Sequence, residues 1–291
     1  MGLGDIARKG YLPALAVRGD IEVHLCTRDP LVLAEVGDAY RFDHRHDNLD
    51  DLLAADVEAA FVHVATAAHV EVVSRLLAAG VHVYVDKPLA DNLADCAHLV
   101  ELARSKGRSL MVGFNRRHAP SYREAAALQP SLVVMQKNRV GAADSPRRVV
   151  FDDFIHVVDT LRFLAPQADL QSVHAAMSDG VLDLVAVQLV GPGVVAIGAM
   201  NRSGGHTQEI LDIHAHGVRR VVHDIAAVDE YRDDRHTLVR RGDWTSVQQQ
   251  RGFDDICERF ISAVADNELL DADDALRTHE MCERVVKELE T

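Results

Sequence analysis

The segment "FDDFIHVVDTLRFL", residues 151–164, carries side chains that could move a proton during a reaction. Asp152, His156 and Asp159 are spaced so that they share one face of a helix, while the apolar residues between them supply its packing face. An imidazole suits general acid–base chemistry because its unperturbed pKa lies near neutrality. The alternative is a capping cluster at a helix N-terminus with a hydrogen-bonded, structural histidine.

A lysine that could contact a ligand follows a β-branched run. Asp86, Lys87 and Pro88 end the segment "HVYVDKP". Ligands of open α/β sheets bind outside the carboxyl ends of the parallel strands, so Lys87 is placed to face a site. Read alone, the tripeptide is equally compatible with a surface lysine beside a turn proline.

The chain opens with a possible phosphate-binding turn, "MGLGDIA". Gly2, Gly4 and Ala7 have the G-x-G-x-x-G/A spacing of dinucleotide-binding turns. Such a turn follows a buried strand and leads into a helix, here through Asp5 and Ile6, so that backbone N–H groups face the pyrophosphate. No strand precedes it in this sequence, and an ordinary N-terminal loop is the alternative.

The next β-branched run bears on the choice of cofactor. "IEVHLCTRDP" ends without the acidic residue that accepts hydrogen bonds from the ribose in NAD sites, and offers Thr27 and Arg28 instead. A guanidinium at this place favours a 2'-phosphate, so NADP is expected in preference to NAD. The alternative is that Arg28 is a solvated loop charge.

These candidate residues require a parallel sheet to position them. β-branched runs at 21–26, 59–66, 82–88 and 109–115 alternate with helical patterns at 29–36, 49–55, 69–79 and 92–106. Alternation of strand and helix predicts right-handed crossovers and a Rossmann-type parallel sheet. The segment "DHRHD" near residue 45 is expected to be a solvated loop.

After about residue 170, strands follow one another directly. The runs 181–190 and 194–200 flank Gly191-Pro192-Gly193, which is typical of a hairpin. This pattern predicts an open, mainly antiparallel sheet, followed by two helices, the first with an apolar stripe from Phe253 to Val264. We therefore predict an α/β protein with a dinucleotide-binding domain at 1–116 and a second, α+β domain at 117–291.

The composition limits the classes of partner. With 45 acidic and 31 basic residues the formal net charge is −14, which disfavours nucleic acid and anionic membrane surfaces. No apolar run is long enough to span a bilayer. The four cysteines lack C-x-x-C spacing, which indicates reduced, packed thiols and a cytoplasmic protein. His214 and His216 lack a third ligand, so no metal site is predicted.

In combination, the motifs resemble those of the Gfo/Idh/MocA family of sugar and inositol dehydrogenases. The resemblance rests on the Gly-rich turn, Thr66 and His69 after a strand, the acidic-Lys-Pro motif, "GFNRRHAP" and "DDFIHVVDTLRFL", and is greatest to the MviM-type branch. It implies hydride transfer between NADP or NAD and a small sugar, polyol or related hydroxy compound. The alternative is an NAD(P)-binding regulator on the same scaffold that does not turn over.

The resemblance also implies roles for individual residues. His156 is the general base for the substrate hydroxyl, Lys87 donates to the same oxygen, and Asp152 orients the substrate or the imidazole. Cofactor contacts are expected from Gly2, Gly4, Asp5, Ile6, Thr27, Arg28, Thr66, His69, Asp86, Lys87 and Asn115. Substrate contacts are expected from Lys87, Arg116, Lys137, Asn138, Asp152 and His156, although a strand-end charge cluster is the alternative for Lys137 and Asn138. A homo-oligomer, dimer or tetramer, is expected through the exposed face of the second sheet.

The same resemblance implies that the turn at Gly2 is genuine. A first strand of about six or seven residues is then missing ahead of it, which a start codon assigned too late would explain. That strand is central in the sheet, so its absence is expected to leave a cavity and two rows of unpaired backbone groups. We therefore expect the chain without it to bind NADP(H) weakly.

Overall fold

The computed structural model describes residues 1–290, which divide into two compact units. The first unit comprises Met1–Gly113 and Phe253–Leu276, and the second comprises Phe114–Gly252 with the chain from Arg277 onward. No helix within 1–290 is both long enough and apolar enough to cross a membrane.

The first unit alternates strands and helices, which confirms the predicted parallel arrangement. Its strands are β1 (His24–Cys26), β2 (His44–His46), β3 (Ala59–Val62), β4 (His82–Val85) and β5 (Leu110–Val112). Its helices are α1 (Leu12–Ala16), α2 (Pro30–Tyr40), α3 (Leu49–Ala54), α4 (His69–Ala78), α5 (Leu93–Lys106) and α10 (Phe253–Ala265). The strands pair in parallel as two separate sheets, β1-β2 and β3-β4-β5.

Strand β2 corrects the prediction of a solvated loop in "DHRHD". His44 and His46 pair in register with His24 and Cys26 of β1. The imidazoles of His24 and His44 stack with their centroids 4.4 Å apart. The prediction was wrong because β2 is short, polar and largely exposed, so it has no alternating apolar pattern that a sequence reading could detect.

Met1 and Gly2 join the two sheets of the first unit. The Met1 amine donates to Phe61 O at 2.6 Å, and Met1 O accepts from His63 N at 2.8 Å. Gly2 N donates to Cys26 O at 2.9 Å. These two residues therefore make strand-like bonds to both β1 and β3.

Beside these residues, the facing edges of β1 and β3 border a cavity of about 510 Å³, here named the β1–β3 gap. Its lining includes Leu25, Phe61 and Ile261. Burial lowers the pKa of the Met1 amine to about 6, and both ring nitrogens of His63, another lining residue, lack a hydrogen-bond partner. The gap therefore separates the edges of the two parallel sheets of the first unit.

Helix α10 packs in the first unit, which corrects the predicted assignment of all of 117–291 to the second domain. The Phe253 and Tyr11 rings lie 5.0 Å apart, and the Phe260 and Tyr84 rings lie 5.7 Å apart. Ile256 is fully buried in the same cluster. The apolar stripe predicted for this helix is confirmed, but its partner surface lies far away in sequence.

The second unit contains one eight-stranded sheet in the order β13-β12-β11-β10-β6-β9-β8-β7. Its strands are β6 (Leu132–Asn138), β7 (Asp169–Ser178), β8 (Val181–Gly191), β9 (Val194–Asn201), β10 (Gln208–Ala215), β11 (Val218–His223), β12 (Ala227–Arg232) and β13 (Arg235–Arg240). Its helices are α6 (Pro120–Ala127), α7 (Pro146–Val149), α8 (Ile155–Leu164), α9 (Val247–Gln250) and the part of α11 (Asp273–Leu289) from Arg277 onward. Only β6 and β9 pair in parallel, which confirms the predicted mainly antiparallel sheet.

Helix α8 lies close against β9 because Gly198 has no side chain. A Cβ at this position would lie 2.5 Å from Val157 Cγ1 and 2.9 Å from Leu161 Cδ1. Both contacts are far shorter than van der Waals distance, so any larger residue would push α8 away from the sheet. Gly198 therefore helps to fix the distance between β9 and α8, the helix that carries His156.

Candidate active site

The Gly-rich turn of the first unit has a conformation that requires glycine at its first position. Gly2 has φ +79°, and a Cβ there would lie 2.7 Å from the backbone of His63 and Val64. A Cβ at Gly4 would meet no atom within 4 Å, so the backbone is open to a ligand there. Exposed Asp5 follows, where the helical segment begins. Open backbone before a helix N-terminus fits a dinucleotide pyrophosphate.

A π-helical turn, Ala7–Tyr11, leads from this loop into α1. Ile6 precedes it with 37 % of its surface exposed, whereas Ala7 is buried, as the third position of the motif requires for close packing. The hydroxyl groups of Tyr11 and Tyr84 form a hydrogen bond of 2.7 Å. The sequence analysis missed this buried tyrosine pair, which anchors the helix to β4.

The end of β1 presents a cation to the solvent. Thr27 N donates to His46 O at 3.1 Å, and the next residue, Arg28, is exposed. Asp29 caps α2, with Oδ1 accepting from Leu31 N at 2.9 Å and from Val32 N. The nearby carboxylate is therefore engaged in capping, and Arg28 is the charged side chain that remains available to a ribose phosphate.

Residues after β3 and β4 come together at the carboxyl ends of these strands. Thr66 begins a short 3-10 turn before α4. Buried His69 links the two loops, because its ring nitrogens lie 3.0 Å from Val64 O and 2.8 Å from Pro88 O. The histidine predicted to contact the cofactor thus braces the loop that carries Lys87.

Asp86 and Lys87 occupy this loop as partly buried side chains. Burial raises the pKa of Asp86, against the opposing effect of Lys87. The Lys87–Pro88 peptide bond is cis. Lys87 therefore stands at the carboxyl end of β4, where the sequence predicts a ligand-facing lysine.

In the second unit, Asp152 and His156 lie on successive helical turns. Asp152 is part of a π-helical turn, Val150–Phe154, that precedes α8, and π turns occur frequently at functional sites. The Asp152 side chain is 46 % exposed, with Arg148 3.6 Å away. The apolar residues Phe154, Ile155 and Leu161 are buried as predicted, but Asp159 of the predicted polar face is buried as well.

Arg116 contacts His156 directly and sets its hydrogen-bonding state. Arg116 Nη1 lies 2.7 Å from His156 Nδ1, and its Nε donates to Glu209 Oε1 at 2.8 Å. A guanidinium can only donate, so Nδ1 is the acceptor and a neutral ring carries its proton on Nε2. Tyr122 also donates to Glu209, at 2.8 Å. The resemblance alone did not indicate this arginine–histidine pair.

Lys137 and Asn138 have structural partners. Lys137 is almost fully buried, 2.8 Å from Asp153 and 4.0 Å from Glu209. Burial and the charge of Arg116 lower the pKa of Lys137 to about 8. Asn138 Oδ1 accepts from Asn201 N at 3.0 Å and so joins β6 to β9.

Two other predicted residues are also engaged within the second unit. Asn115 is buried and donates to Arg251 O at 2.8 Å. Asp159 is buried beside Arg117, with a shortest distance of 2.6 Å, and accepts from Thr278 at 3.0 Å. Asp159 is thus a buried ion-pair partner on the helix that carries His156.

Comparison with known proteins places the chain among oxidoreductases. A family model described as "Oxidoreductase family, NAD-binding Rossmann fold" matches residues 1–114. YceM of Salmonella typhimurium, whose name describes it as an oxidoreductase, is 36% identical over 282 residues, which cover 91% of this chain and 88% of YceM. Inositol 2-dehydrogenase of Gluconacetobacter diazotrophicus is 35% identical over 129 residues, 40% of this chain and 38% of its own.

A solved structure shares the fold over nearly the whole chain. It is that of a Gfo/Idh/MocA family oxidoreductase from Vibrio cholerae, with 33% sequence identity and a TM-score of 0.93. The similarity covers 99% of this chain and 96% of the other. The parallel sheets and the mainly antiparallel second sheet are therefore the fold of this class of oxidoreductase.

Proposed function

Because this chain belongs to the Gfo/Idh/MocA family of NAD-binding oxidoreductases, we propose that it transfers a hydride between NADP(H) and a sugar, polyol or related hydroxy compound. The open backbone at Gly4, ahead of a helix N-terminus, carries the cofactor part of this proposal. The partial match to an inositol 2-dehydrogenase supports a polyhydroxylated substrate.

Preference for NADP over NAD rests on the end of β1. Arg28 is exposed and Asp29 is engaged as the α2 cap, so the charge presented to a ribose is positive. A guanidinium pairs well with a phosphate and poorly with a neutral ribose edge. The remaining proposed cofactor contacts are those of the sequence analysis.

The proposed catalytic residues are Lys87, Asp152 and His156, as the family resemblance implies. A bound nicotinamide supplies an acceptor or donor of hydride at the reacting carbon. Lys87 donates a hydrogen bond from Nζ to the reacting oxygen, and His156 holds the proton of that oxygen at Nε2. Asp152, being half exposed, is available to accept a hydrogen bond from a substrate hydroxyl.

Arg116 controls the form in which His156 acts. While Nδ1 accepts from Arg116, Nε2 bears a hydrogen and can donate to a substrate carbonyl. Before Nε2 can take up a hydroxyl proton, the hydrogen of the neutral ring must lie on Nδ1. A protonated Nδ1 cannot accept from Arg116, so the hydrogen bond between Arg116 and His156 must then break. We therefore propose that Arg116, a positioning residue, releases His156 when an alcohol substrate is oxidised.

We further propose that the protein is a cytoplasmic homo-oligomer. All four cysteines are buried thiols outside any disulfide, as expected of a protein from a reducing compartment. The open face of the eight-stranded sheet exposes apolar side chains, which suits pairing with a second copy.

Turnover of a panel of polyols, sugars and hydroxy acids with NADP+ and NAD+ tests the proposed function. His156→Ala and Lys87→Ala should each lower kcat by about 10²-fold or more, with nearly unchanged cofactor affinity. His174→Ala, on the exposed part of β7, is the matched control and should retain full turnover. Cofactor binding without turnover of any compound would support the regulator instead, and wild-type turnover in either variant would refute that residue's role.

A further inference from the structure

Three imidazoles of β1 and β2 cluster with the carboxylate of Glu22, which lies just before β1. His24 begins β1, His44 begins β2, and the two residues are paired in register. The His24 ring stacks on both His44 and His46, with centroids 4.4 Å and 5.2 Å apart. Glu22 contacts two of the rings, because its carboxylate oxygens lie 2.9 Å from His24 Nε2 and 3.5 Å from His44 Nε2.

The donor atoms of this cluster are close enough for one metal ion. Glu22, His24 and His44 each offer one ligand atom, and all three atoms lie within 4.8 Å of one another. In a zinc tetrahedron with bonds of about 2.0–2.2 Å, ligand atoms lie about 3.4 Å apart. The Glu22 side chain is 70% exposed and can rotate, whereas His24 is held between its neighbours. The His24 and His44 rings are nearly parallel, so the half-exposed His44 ring must turn, together with the carboxylate, for both Nε2 lone pairs to point at one ion.

His46 fixes the ring of His24 in the orientation that a metal needs. Its Nε2 lies 3.0 Å from His24 Nδ1. A histidine that binds a metal through one nitrogen donates a hydrogen bond from the other, which fixes the tautomer and the ring orientation. With Nδ1 donating to His46, Nε2 of His24 keeps its lone pair, and this is the nitrogen that faces Glu22.

We propose that Glu22, His24 and His44 bind a divalent transition-metal ion of the zinc type, with His46 as a positioning residue. Imidazole nitrogens select zinc and its first-row neighbours over magnesium and calcium, which prefer oxygen. Three protein ligands at an exposed position leave the fourth place to water. None of the three ligand residues is among the proposed cofactor contacts, which at the end of β1 are Thr27 and Arg28.

The ion would link β1 and β2 through a ligand on each strand. β1 and β2 share three residue pairs and form a sheet separate from β3-β4-β5. An ion that binds the folded form only raises stability by mass action, and a bond to each strand resists their separation. The predicted absence of a metal site considered His214 and His216 and overlooked this cluster, because β2 was assigned to a loop.

Zinc titration of the full chain, after removal of metal by a chelator, tests the proposal. We expect calorimetry to show one Zn²⁺ bound per chain and thermal unfolding to shift upward by several degrees with ZnCl2 but not with MgCl2. Glu22→Gln should weaken Zn²⁺ binding by about tenfold or more, while its amide nitrogen can still donate a hydrogen bond to Nε2 of His24. His98→Ala, which removes an exposed histidine of α5, should bind Zn²⁺ as the wild type does.

The variants also separate a metal site from a merely structural cluster. Circular dichroism should show that Glu22→Gln and His44→Gln are folded without metal, and both should lose the zinc-dependent shift. Co²⁺ added to the wild type should give the visible absorption of nitrogen and oxygen coordination, and His44→Gln should not. Absence of one-to-one binding, or unchanged Zn²⁺ affinity in a folded Glu22→Gln or His44→Gln variant, would overturn the proposal.

Discussion

Asp153 is the carboxylate around which the cations of the second unit gather. Lys137 Nζ, Arg139 Nε and Arg202 Nη1 lie 2.8, 2.7 and 2.6 Å from its oxygens. Burial opposes ionisation, but these cations hold the pKa of Asp153 well below its usual range. Its neighbour Asp152 is half exposed, with Arg148 of α7 3.6 Å away, so two adjacent carboxylates have very different surroundings.

Glu209 gives a prediction for acid stability. Burial opposes its ionisation, but Arg116 and Lys137 lower the pKa of Glu209 to about 2 from 4.5. The unfolded state therefore takes up a proton first on acidification, and the stability from this group is lost as the pH falls from about 4.5 to about 2. Glu209→Gln should cost about 3–5 kcal/mol near pH 7, because Arg116 stays buried without its partner, and the difference from wild type should shrink below about pH 4.5.

Urea unfolding of both proteins from neutral pH down to about pH 2 measures this difference. Glu35→Gln, which removes an exposed partner of Arg8, is the control and should cost less than about 1 kcal/mol at any pH. If the difference in free energy of unfolding between Glu209→Gln and wild type stays constant with pH, the assigned pKa shift of Glu209 is contradicted.

Arg28 gives a prediction for cofactor choice. NADP(H) should bind more tightly than NAD(H), because the exposed guanidinium can pair with the 2'-phosphate. Arg28→Ala should weaken NADP(H) binding by about tenfold to a hundredfold and leave NAD(H) nearly unchanged. Fluorescence titration of both cofactors measures the effect, with Arg104→Ala on α5 as the control. Equal affinities for the two cofactors, or an equal loss for both in Arg28→Ala, would refute this role.

At the scale of elements, the β1–β3 gap is the weak point of the first unit. Met1 and Gly2 make strand-like backbone hydrogen bonds to both β1 and β3. Beside these two residues, the space between the two strands is a cavity of about 510 Å³. The Gly2 turn is anchored by the backbone hydrogen bonds of Met1 and Gly2 to both sheets. A loop that binds phosphate through backbone N–H groups must be held still to do so.

An added strand should repair this weakness. An extension of about seven alternating apolar residues placed ahead of Met1 should raise the melting temperature and tighten NADP(H) binding by about tenfold or more, because it fills the gap and pairs with both strand edges. An extension of equal length made of glycine and serine is the matched control and should do neither. Calorimetry and thermal unfolding of the three proteins measure NADP(H) affinity and melting temperature. Equal values for all three would show that the β1–β3 gap does not limit binding.

At the scale of the whole molecule, the eight-stranded sheet has one face covered by helices and one open. Val134 and Ile197 lie side by side on β6 and β9, on the face opposite the buried residues, and both are only partly buried. A sheet centre with apolar side chains on its open face favours association with another protein surface. A second copy of the chain is the occupant that the family resemblance implies.

Light scattering after size exclusion tests this association. The wild type should be a dimer or tetramer, and Ile197→Arg should be a monomer, because an unpaired charge at the centre of an apolar interface has no partner. Leu31→Arg, on the 80% exposed Leu31 of α2, is the control and should leave the assembly unchanged. A monomeric wild type, or an Ile197→Arg variant of unchanged mass, would contradict the prediction.

The sequence by itself determined the features that depend on nearby residues. Alternating runs gave the parallel strands with their helices, Gly191-Pro192-Gly193 predicted the β8–β9 hairpin, and the acidic-Lys-Pro motif placed Lys87 at the end of β4. Spacing together with the family resemblance indicated the Gly2 turn, and Gly2 has a positive φ. Such features are readable because periodicity and turn chemistry act over a few residues.

The tertiary structure decided the features that depend on distant partners. Arg116 selects the His156 tautomer from 40 residues away and pairs with Glu209 from 93 residues away. The packing of α10 into the first unit, the strand β2 and its histidine cluster likewise exist only once remote segments meet. A buried charge needs a partner but does not specify where in the chain that partner lies, so pattern along the sequence cannot identify it.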